Sequence, residues 1–387
     1  MEYLSFSSIT IGVLEPLTPS TLMSKIVHMV LIFIGMPRHL LASHAKVRHE
    51  VSNMSVVYGP VPSWRLGRSL GIDPILPPKT CTFDCVYCQL GHTVNKISVR
   101  LDIPPVDEER LEGELLKELE KIDVKSINVV TFSGCGEPTL NPRLGEMIRR
   151  VKDILPDVPV AVLTNSSLVC LKDVRKDLGE ADIVVAKLDA ADQKTFVSIN
   201  RPADGIPPIK EIIRCLTEFK REFTGILSLQ VMLVDSSIPM RTNISEDAIN
   251  AIIDAIRAIE PDEVQVNTPT RPPSESYIKP VSRGIITCVV EMLESIGVRE
   301  VLAIGIRERT PTFRSVLRVE AERIREEVFE LLKRRPCRIV DITLALGLGG
   351  EIVRKAVEDL MRRGLIRKVE GVRGTYFIAT TAKSGED

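Results

Sequence analysis

The sequence predicts an α/β protein, a partial (β/α)6 barrel followed by a small C-terminal winged helix-turn-helix. From Tyr58 onward short apolar runs alternate with longer amphipathic stretches, the pattern of βα units around a parallel sheet. The apolar runs end repeatedly in polar residues, as barrel strands do where their loops gather functional groups. Beyond residue 320 the pattern changes to three helices and a β ribbon. At 387 residues and 44% hydrophobic, the chain can bury one large core and still supply a second, smaller domain.

Residues 1–53 stand apart, as a non-native extension or a disordered segment. Their apolar run Ile26–Met36 (IVHMVLIFIGM) is shorter than the about 20 residues that span a bilayer. It is built like a signal-peptide core, with Lys25 before it and Ser43 and Ala45 after it. Export conflicts with the cytosolic chemistry argued below, so the expectation is a true start at Met54 or Met36 and no membrane attachment.

Residues 54–310 hold the barrel. A first strand is expected at Leu70–Leu76, leading into a cysteine loop. Leu111, Leu115, Leu116, Leu119 and Ile122 then recur at helical spacing behind the acidic opening Asp107-Glu108-Glu109. The second strand, Ile127–Ser133, runs into GCGEPTL, and Asn141 with Pro142 at the first helical position marks the next helix. Strands three to five are expected at Val158–Asn165, Ile183–Asp189 and Ile226–Val234, with the loop INRPADGIPP after the fourth. Ser245 caps a helix bearing Ile249, Ile252, Ile253, Ile256 and Ile259, which Pro261 stops. The sixth strand is Glu263–Thr268, its helix Arg283–Ile296, and Glu300–Ile306 adds a β segment.

Residues 311–319 read as a linker, and 320–380 as the winged helix. Its third helix, from Gly350 to Arg363, carries an expected buried stripe of Ile352, Val353, Ala356, Val357, Leu360 and Met361, ahead of a ribbon from Ile366 to Ile378.

Composition narrows the chemistry. A net charge of −1 gives no global field for nucleic acid or membrane, so any basic surface is local. Eight cysteines without paired spacing do not make a disulfide scaffold, which fits a reducing cytoplasm. Four of the five histidines, His28, His39, His44 and His49, precede the informative sequence. Histidine-based hydrolysis or acid/base chemistry is therefore excluded from the expectation.

Cys81, Cys85 and Cys88, spaced C-x3-C-x2-C in KTCTFDCVYCQLG, offer three thiolates to three irons of a [4Fe-4S] cluster. Ordinary clusters are closed by four cysteines, so the fourth iron is left for an outside ligand, and S-adenosylmethionine is the candidate. Two plainer arrangements compete: a closed zinc knot of the three cysteines with His92, and a thioredoxin-like pair of Cys85 and Cys88.

The other strand ends supply the remaining candidates: Tyr87 in the cysteine loop, Gly134, Gly136, Glu137 and Pro138 after the second, Asn165 and Ser166 after the third, and Lys187 and Asp189 on the fourth. Gln230 lies within the fifth, and Asn267 closes the sixth. C-x3-C-x-aromatic-C with Gly-Glu-Pro about fifty residues later resembles the radical S-adenosylmethionine superfamily. The stretches YGPVPSWRLGRSLGIDPILPPKTC, SGCGEPTLNP, LTNSSL, KLDAAD, INRP and NTPTRPP resemble, within it, archaeal and bacterial relatives of the wyosine-base tRNA-modifying synthases. The resemblance implies an enzyme that draws one electron from a ferredoxin- or flavodoxin-like reductant and cleaves S-adenosylmethionine to a 5′-deoxyadenosyl radical, which abstracts hydrogen from an unactivated C–H bond. It implies that the backbone of residues 134–137 and the Glu137 carboxylate hold the methionyl ammonium. Asn165, Asp189 or Lys187 would then meet the ribose or the methionyl carboxylate. No cysteine precedes Cys81, so the second cluster of the wyosine synthases has no ligands here. Cys135 is either a reactive thiol or a small filler at a tight turn.

In the C-terminal domain Arg354, Lys355, Arg362, Arg363, Arg367, Lys368 and Arg373 give a modest basic surplus that suits tRNA or another nucleic acid. Two alternatives stay open, a peptide or protein substrate gripped by the winged helix and a redox-sensing DNA-binding regulator. The second leaves Glu137, Asn165 and Asp189 without a purpose.

Overall fold

An antiparallel hairpin opens the computed structural model, which describes residues 54–100, 106–308 and 321–380. The run Ile26–Met36, the alternative start at Met36 and the linker 311–319 lie outside the described residues. The hairpin joins β1 (Val57–Ser63) to β2 (Gly67–Ile72). β1 is an edge strand that the sequence pattern did not disclose, because Pro60 and Pro62 interrupt its alternation. β2 stops at Ile72 rather than Leu76, since Pro74, Pro77 and Pro78 withdraw the donors a ladder needs.

The two-residue strands β3 (Thr80–Cys81) and β4 (Asn95–Lys96) bracket the cysteine loop. Then follow β5 (Val129–Phe132), β6 (Val160–Thr164), β7 (Ile183–Lys187), β8 (Ile226–Met232), the short β9 (Val234–Ser236), β10 (Glu263–Asn267), β11 (Ile278–Pro280) and β12 (Glu300–Ala303). Eight strands form one curled half-barrel sheet in the order β1-β2-β5-β6-β7-β8-β10-β12. Every pairing after the first hairpin is parallel. Such a sheet needs helical crossovers. They are α1 (Glu108–Leu119), α2 (Leu144–Ile154), α3 (Lys172–Leu178), α4 (Gln193–Asn200), α5 (Ile209–Glu222), α6 (Glu246–Ile259) and α7 (Arg283–Ser295).

Local chemistry explains the helix ends. Asp107 and Ser245 accept hydrogen bonds from Arg110 N and Ala248 N and so cap α1 and α6. Asn141 does not cap α2 as expected. Pro138–Leu140 is a 3-10 turn, Asn141 Oδ1 accepts from Arg143 N at 2.8 Å, and the helix begins at Leu144.

The C-terminal region contains α8 (Ala321–Arg334), α9 (Ile339–Leu346), α10 (Gly350–Arg362) and an antiparallel ribbon of β13 (Ile366–Gly371) and β14 (Gly374–Ala379). Val328, Leu332, Val353, Val357, Leu360 and Phe377 share one core with Val61 of β1. Ile352 departs from the expected stripe, 45% exposed where Val353 is buried.

Two polar ties fix this module to the barrel. Arg334 Nε donates to Asp73 Oδ2 at 3.1 Å across 261 residues, with both side chains buried. Tyr376 OH donates to Thr270 O at 2.7 Å, in the loop after β10. Burial outweighs Arg334 and pushes the Asp73 carboxyl up to about 6. Cys170 and Cys215, 45 residues apart, form a disulfide that sequence spacing did not reveal. No described helix is long and apolar enough to cross a membrane.

Candidate active site

The cysteine loop and the Gly-Cys-Gly-Glu-Pro loop are zipped together through their backbones. Thr80 N donates to Cys135 O at 3.2 Å and Glu137 N to Thr80 O at 3.1 Å. A Cβ on Gly136 would stand 1.7 Å from Thr80 O, so this approach admits glycine alone. Gly134, at φ +88°, takes the left-handed turn that brings the chain there. Pro138 follows at the first position of the 3-10 turn, buried.

Cys81, Cys85 and Cys88 are all free thiols. A single tetrahedral ion would draw its sulfurs to about 3.8 Å of one another, given Zn–S bonds of about 2.3 Å. Among the described residues only Cys170, Glu211 and Cys215 bring ligand atoms within 4.8 Å of one another, and the first and last of these are disulfide-bonded. His92 turns instead to Asp84, Nδ1 to Oδ2 3.3 Å, with most of its side chain in solvent. The three sulfurs and the His92 ring are thus not drawn together within 4.8 Å as one four-ligand group. Burial raises the Cys81 thiol and pushes Cys85 up to about 11, so both need a metal or cation to ionise them.

Side-chain amides support two of those sulfurs. Asn165 Nδ2 donates to Cys81 Sγ at 3.5 Å and to Thr82 Oγ1 at 2.7 Å. Asn200 Nδ2 donates to Cys85 Sγ at 3.5 Å and to Asp189 Oδ2 at 2.8 Å. Lys79 Nζ donates to Gly91 O at 2.5 Å. Burial works against the Lys79 ammonium, but charge on Cys88, Cys81 and Cys85 holds it above its ordinary range. Sequence reasoning missed both Asn200 and Lys79, although Asn200 lies in INRP and Lys79 two residues before Cys81.

Glu137 is buried, and Oε1 accepts from Thr139 N, Thr139 Oγ1 and Thr164 Oγ1, while Oε2 accepts from Asn165 N at 2.7 Å. A carboxylate has about four acceptor sites. The Glu137 carboxylate is therefore first a brace between the loop and the end of β6, with capacity left only on Oε2. Burial raises its pKa against all four donors. Ser166, at φ +71°, donates to Lys187 O and ties β6 to β7. A serine in this region is strained, as residues at functional sites are.

Asp189 is as fully engaged as Glu137. Tyr87 OH and Asn200 bond one oxygen and Met232 N the other. Burial, then the Asp189 charge, keeps the Tyr87 hydroxyl well above its ordinary range and hence protonated. Lys187 Nζ stands 4.6 Å above the Tyr87 ring and 3.8 Å from Asp189 Oδ1, buried with no hydrogen bond among the described residues. Gln230 and Gln265 stand beside Lys187 in register on β8 and β10. Asn267 turns its Oδ1 to Thr268 N at the end of β10. Cys135 is buried, and burial raises its pKa, in keeping with a filler.

In the C-terminal module all seven basic candidates are exposed. Arg362 and Arg363 bond Asp359, Lys355 faces Glu351 at 4.0 Å, and Arg373 faces Glu308 at 3.5 Å. Arg354, Arg367 and Lys368 have no carboxylate partner among the described residues.

The donor set suits a [4Fe-4S] cluster and S-adenosylmethionine: three free thiols, a glycine loop closed to side chains, and a lysine ammonium with no hydrogen bond among the described residues. The Radical SAM superfamily model matches residues 75–236. The UPF0026 protein MJ1312 of Methanocaldococcus jannaschii is 32% identical over 335 residues, which cover 86% of this chain and 98% of that protein. The UPF0026 protein slr1464 of Synechocystis sp. is 40% identical over 230 residues, 59% of this chain and 78% of that one. The crystal structure of Streptococcus suis SuiB bound to S-adenosylmethionine gives a TM-score of 0.45 at 15% identity, over 74% of this chain and 62% of that one. The protein is an enzyme that uses S-adenosylmethionine and a [4Fe-4S] cluster, and a reductant partner follows from that. With this site and these relatives, the chain belongs to the UPF0026 family of radical SAM proteins.

Proposed function

We propose that the enzyme removes a hydrogen atom from a macromolecular substrate, tRNA in the first instance, which the C-terminal helices and ribbon deliver as a winged helix. Cys81, Cys85 and Cys88 would hold the cluster irons. The backbone of residues 134–136 and Oε2 of Glu137 would take the methionyl ammonium, and the Lys187 ammonium the methionyl carboxylate. When bound, the reduced cluster and S-adenosylmethionine supply the 5′-deoxyadenosyl radical. The protein's part is to orient and to exclude water: Asp189, Asn200 and Tyr87 fix one another beneath Lys187, and Asn165 and Asn200 donate to cluster sulfurs.

The observation that carries the reading is the attachment of the module. Its first helix is held by the buried Arg334–Asp73 pair, eight residues before Cys81, and its ribbon by Tyr376 at the loop after β10. A substrate on the exposed Arg354, Arg367 and Lys368 would sit on a part fixed to the barrel. Exposed Val340 and Ile352 on the same module favour a peptide or protein partner as the second reading.

The test is anaerobic reconstitution with iron and sulfide, reduction with dithionite, and chromatography for 5′-deoxyadenosine, with and without unmodified tRNA. Cleavage stimulated by tRNA supports the reading. Cleavage indifferent to tRNA, with a protein captured by the module in its place, would replace it with the second.

A further inference from the structure

We propose that Arg271 and Arg335, with Arg65 beside them, form an anion subsite between the cysteine loop and the C-terminal module that takes a phosphate group of the substrate. The proposal rests on the reading above, because it makes this side of the barrel the place where substrate lies.

The three arginines come from three parts of the chain. Arg65 is in the turn between β1 and β2, and its Nη1 donates to Gln265 Oε1 of β10 at 3.4 Å. Arg271 is in the loop after β10, and its Nη1 donates to Gln89 Oε1 at 2.7 Å, next to Cys88. Arg335 follows Arg334, which the Asp73 pair anchors. All three are half-buried, and they lie close enough to disfavour one another's charge. Burial, then Arg271 and Arg335, push Arg65 down to about 10, and burial followed by Arg335 lowers Arg271.

The acids nearby are already engaged. Asp341 is held by Arg338 through both oxygens and reaches Arg271 only as a more distant opposing charge, while Glu263, which accepts from Ser228 and Gln265, offsets part of the burial of Arg65. Among the described residues no carboxylate lies within ion-pair distance of Arg271 or Arg335, and Arg335 Nε is buried without a hydrogen-bond partner. Crowded, partly desolvated like charges are unfavourable without a counter-ion. Guanidinium forks pair best with oxyanions. The forks of Arg271 and Arg335 alone offer more donors than the four acceptor sites of one carboxylate can use, whereas phosphate brings more oxygens and up to two charges.

The single tryptophan, Trp64, provides a built-in reporter, its ring 5.8 Å from the Arg65 guanidinium carbon. Full-length reconstituted protein would be titrated anaerobically with inorganic pyrophosphate and with citrate, by calorimetry and tryptophan fluorescence. Saturable pyrophosphate binding is expected, with citrate about 10-fold weaker. Arg271→Gln and Arg335→Gln should each weaken pyrophosphate by about 10- to 100-fold, while Arg257→Gln on α6 changes nothing. Arg271→Lys and Arg335→Lys keep the charge and the fold but lose the fork, and should show part of that loss with intact cluster absorbance. Ribose 5-phosphate and a short single-stranded RNA separate a small phosphorylated substrate from a polynucleotide, tight binding of either supporting the subsite. Absence of saturable binding, equal affinity for citrate, or unchanged affinity in the arginine variants would overturn the proposal. If S-adenosylmethionine is still cleaved in that case, only the subsite fails; if it is not cleaved, the reading of the site itself fails.

Discussion

The strand ends from β5 to β7 and those from β8 onward differ in how much hydrogen-bonding capacity they leave unused. On the first side Glu137 collects four donors, Asp189 collects three, and Asn165 and Asn200 reach sulfurs. On the second, Gln265 of β10 accepts from Arg65, and Arg271 and Arg335 form no ion pair with any described carboxylate. A saturated network holds one geometry. A cationic group without its counter-ion is completed by what binds to it. On the proposed function, the first side would be a fixed cradle for the cofactor and the second a receptive surface for a changing substrate.

The cradle is broken most completely at its sulfurs. Cys85→Ala should abolish the brown cluster absorbance and all cleavage of S-adenosylmethionine, checked by anaerobic spectroscopy and product chromatography. A variant that keeps its cluster absorbance would refute the ligand assignment. Gly136→Ala should come next, since the new methyl meets a backbone carbonyl at 1.7 Å and separates the two zipped loops. Binding of S-adenosylmethionine, followed by calorimetry, should fall by at least about 10-fold, and the apoprotein should lose ~1–3 kcal/mol from overpacking.

Asn200→Ala sharpens the comparison, because one amide serves both Cys85 and Asp189. Removing it leaves a buried carboxylate short of a donor, which costs roughly 2 kcal/mol and is readable in urea denaturation. Losing a donor to a cluster sulfur should also move the reduction potential to more negative values. An unchanged potential in an anaerobic redox titration would reduce Asn200 to a structural residue.

How far the sequence disclosed these parts depended on distance along the chain. The βα alternation and the three cysteines are local patterns: the first placed the strand series to within a few residues, and the second singled out the loop between β3 and β4. The role of Asn200 depends on a contact across 115 residues and that of Arg334 on one across 261, so neither has a local signature. β1 was hidden by its prolines, and α2 began late because Asn141 formed a turn with Arg143. Glu137 stood out in the sequence as a candidate, but its bracing of β6 did not, since Thr164 and Asn165 come from the next strand.

The joint between barrel and module offers a smaller, pH-dependent effect. With Asp73 pushed from 3.8 to about 6, the folded state binds more protons than the unfolded state between those values. Stability from this group is therefore fullest below pH 4 and lost as pH rises through 6, by ~3 kcal/mol for a shift of about two units. Asp73→Asn should remove that slope, so that wild type loses ground to the variant across the window in paired denaturation curves of apoprotein. Parallel profiles would mean that Arg334 holds the carboxylate charged throughout.

The smallest effect on the fold should come from the module's outer face. Arg354, Arg367 and Lys368 are exposed and touch no described carboxylate, so replacing all three with Gln should change stability by less than ~0.5 kcal/mol and leave cofactor cleavage intact. Their contribution, if tRNA is the substrate, lies in counterion release. Removing one cation that pairs with a phosphate should lower the salt dependence of binding by about one in log–log slope, a change visible in filter binding at several salt concentrations. Arg362, Arg363, Lys355 and Arg373 already face acids, so their replacement should move the slope less. An equal response from both sets would mean that the face acts as a diffuse charge, and that the partner's position is set by the arginines nearer the cluster.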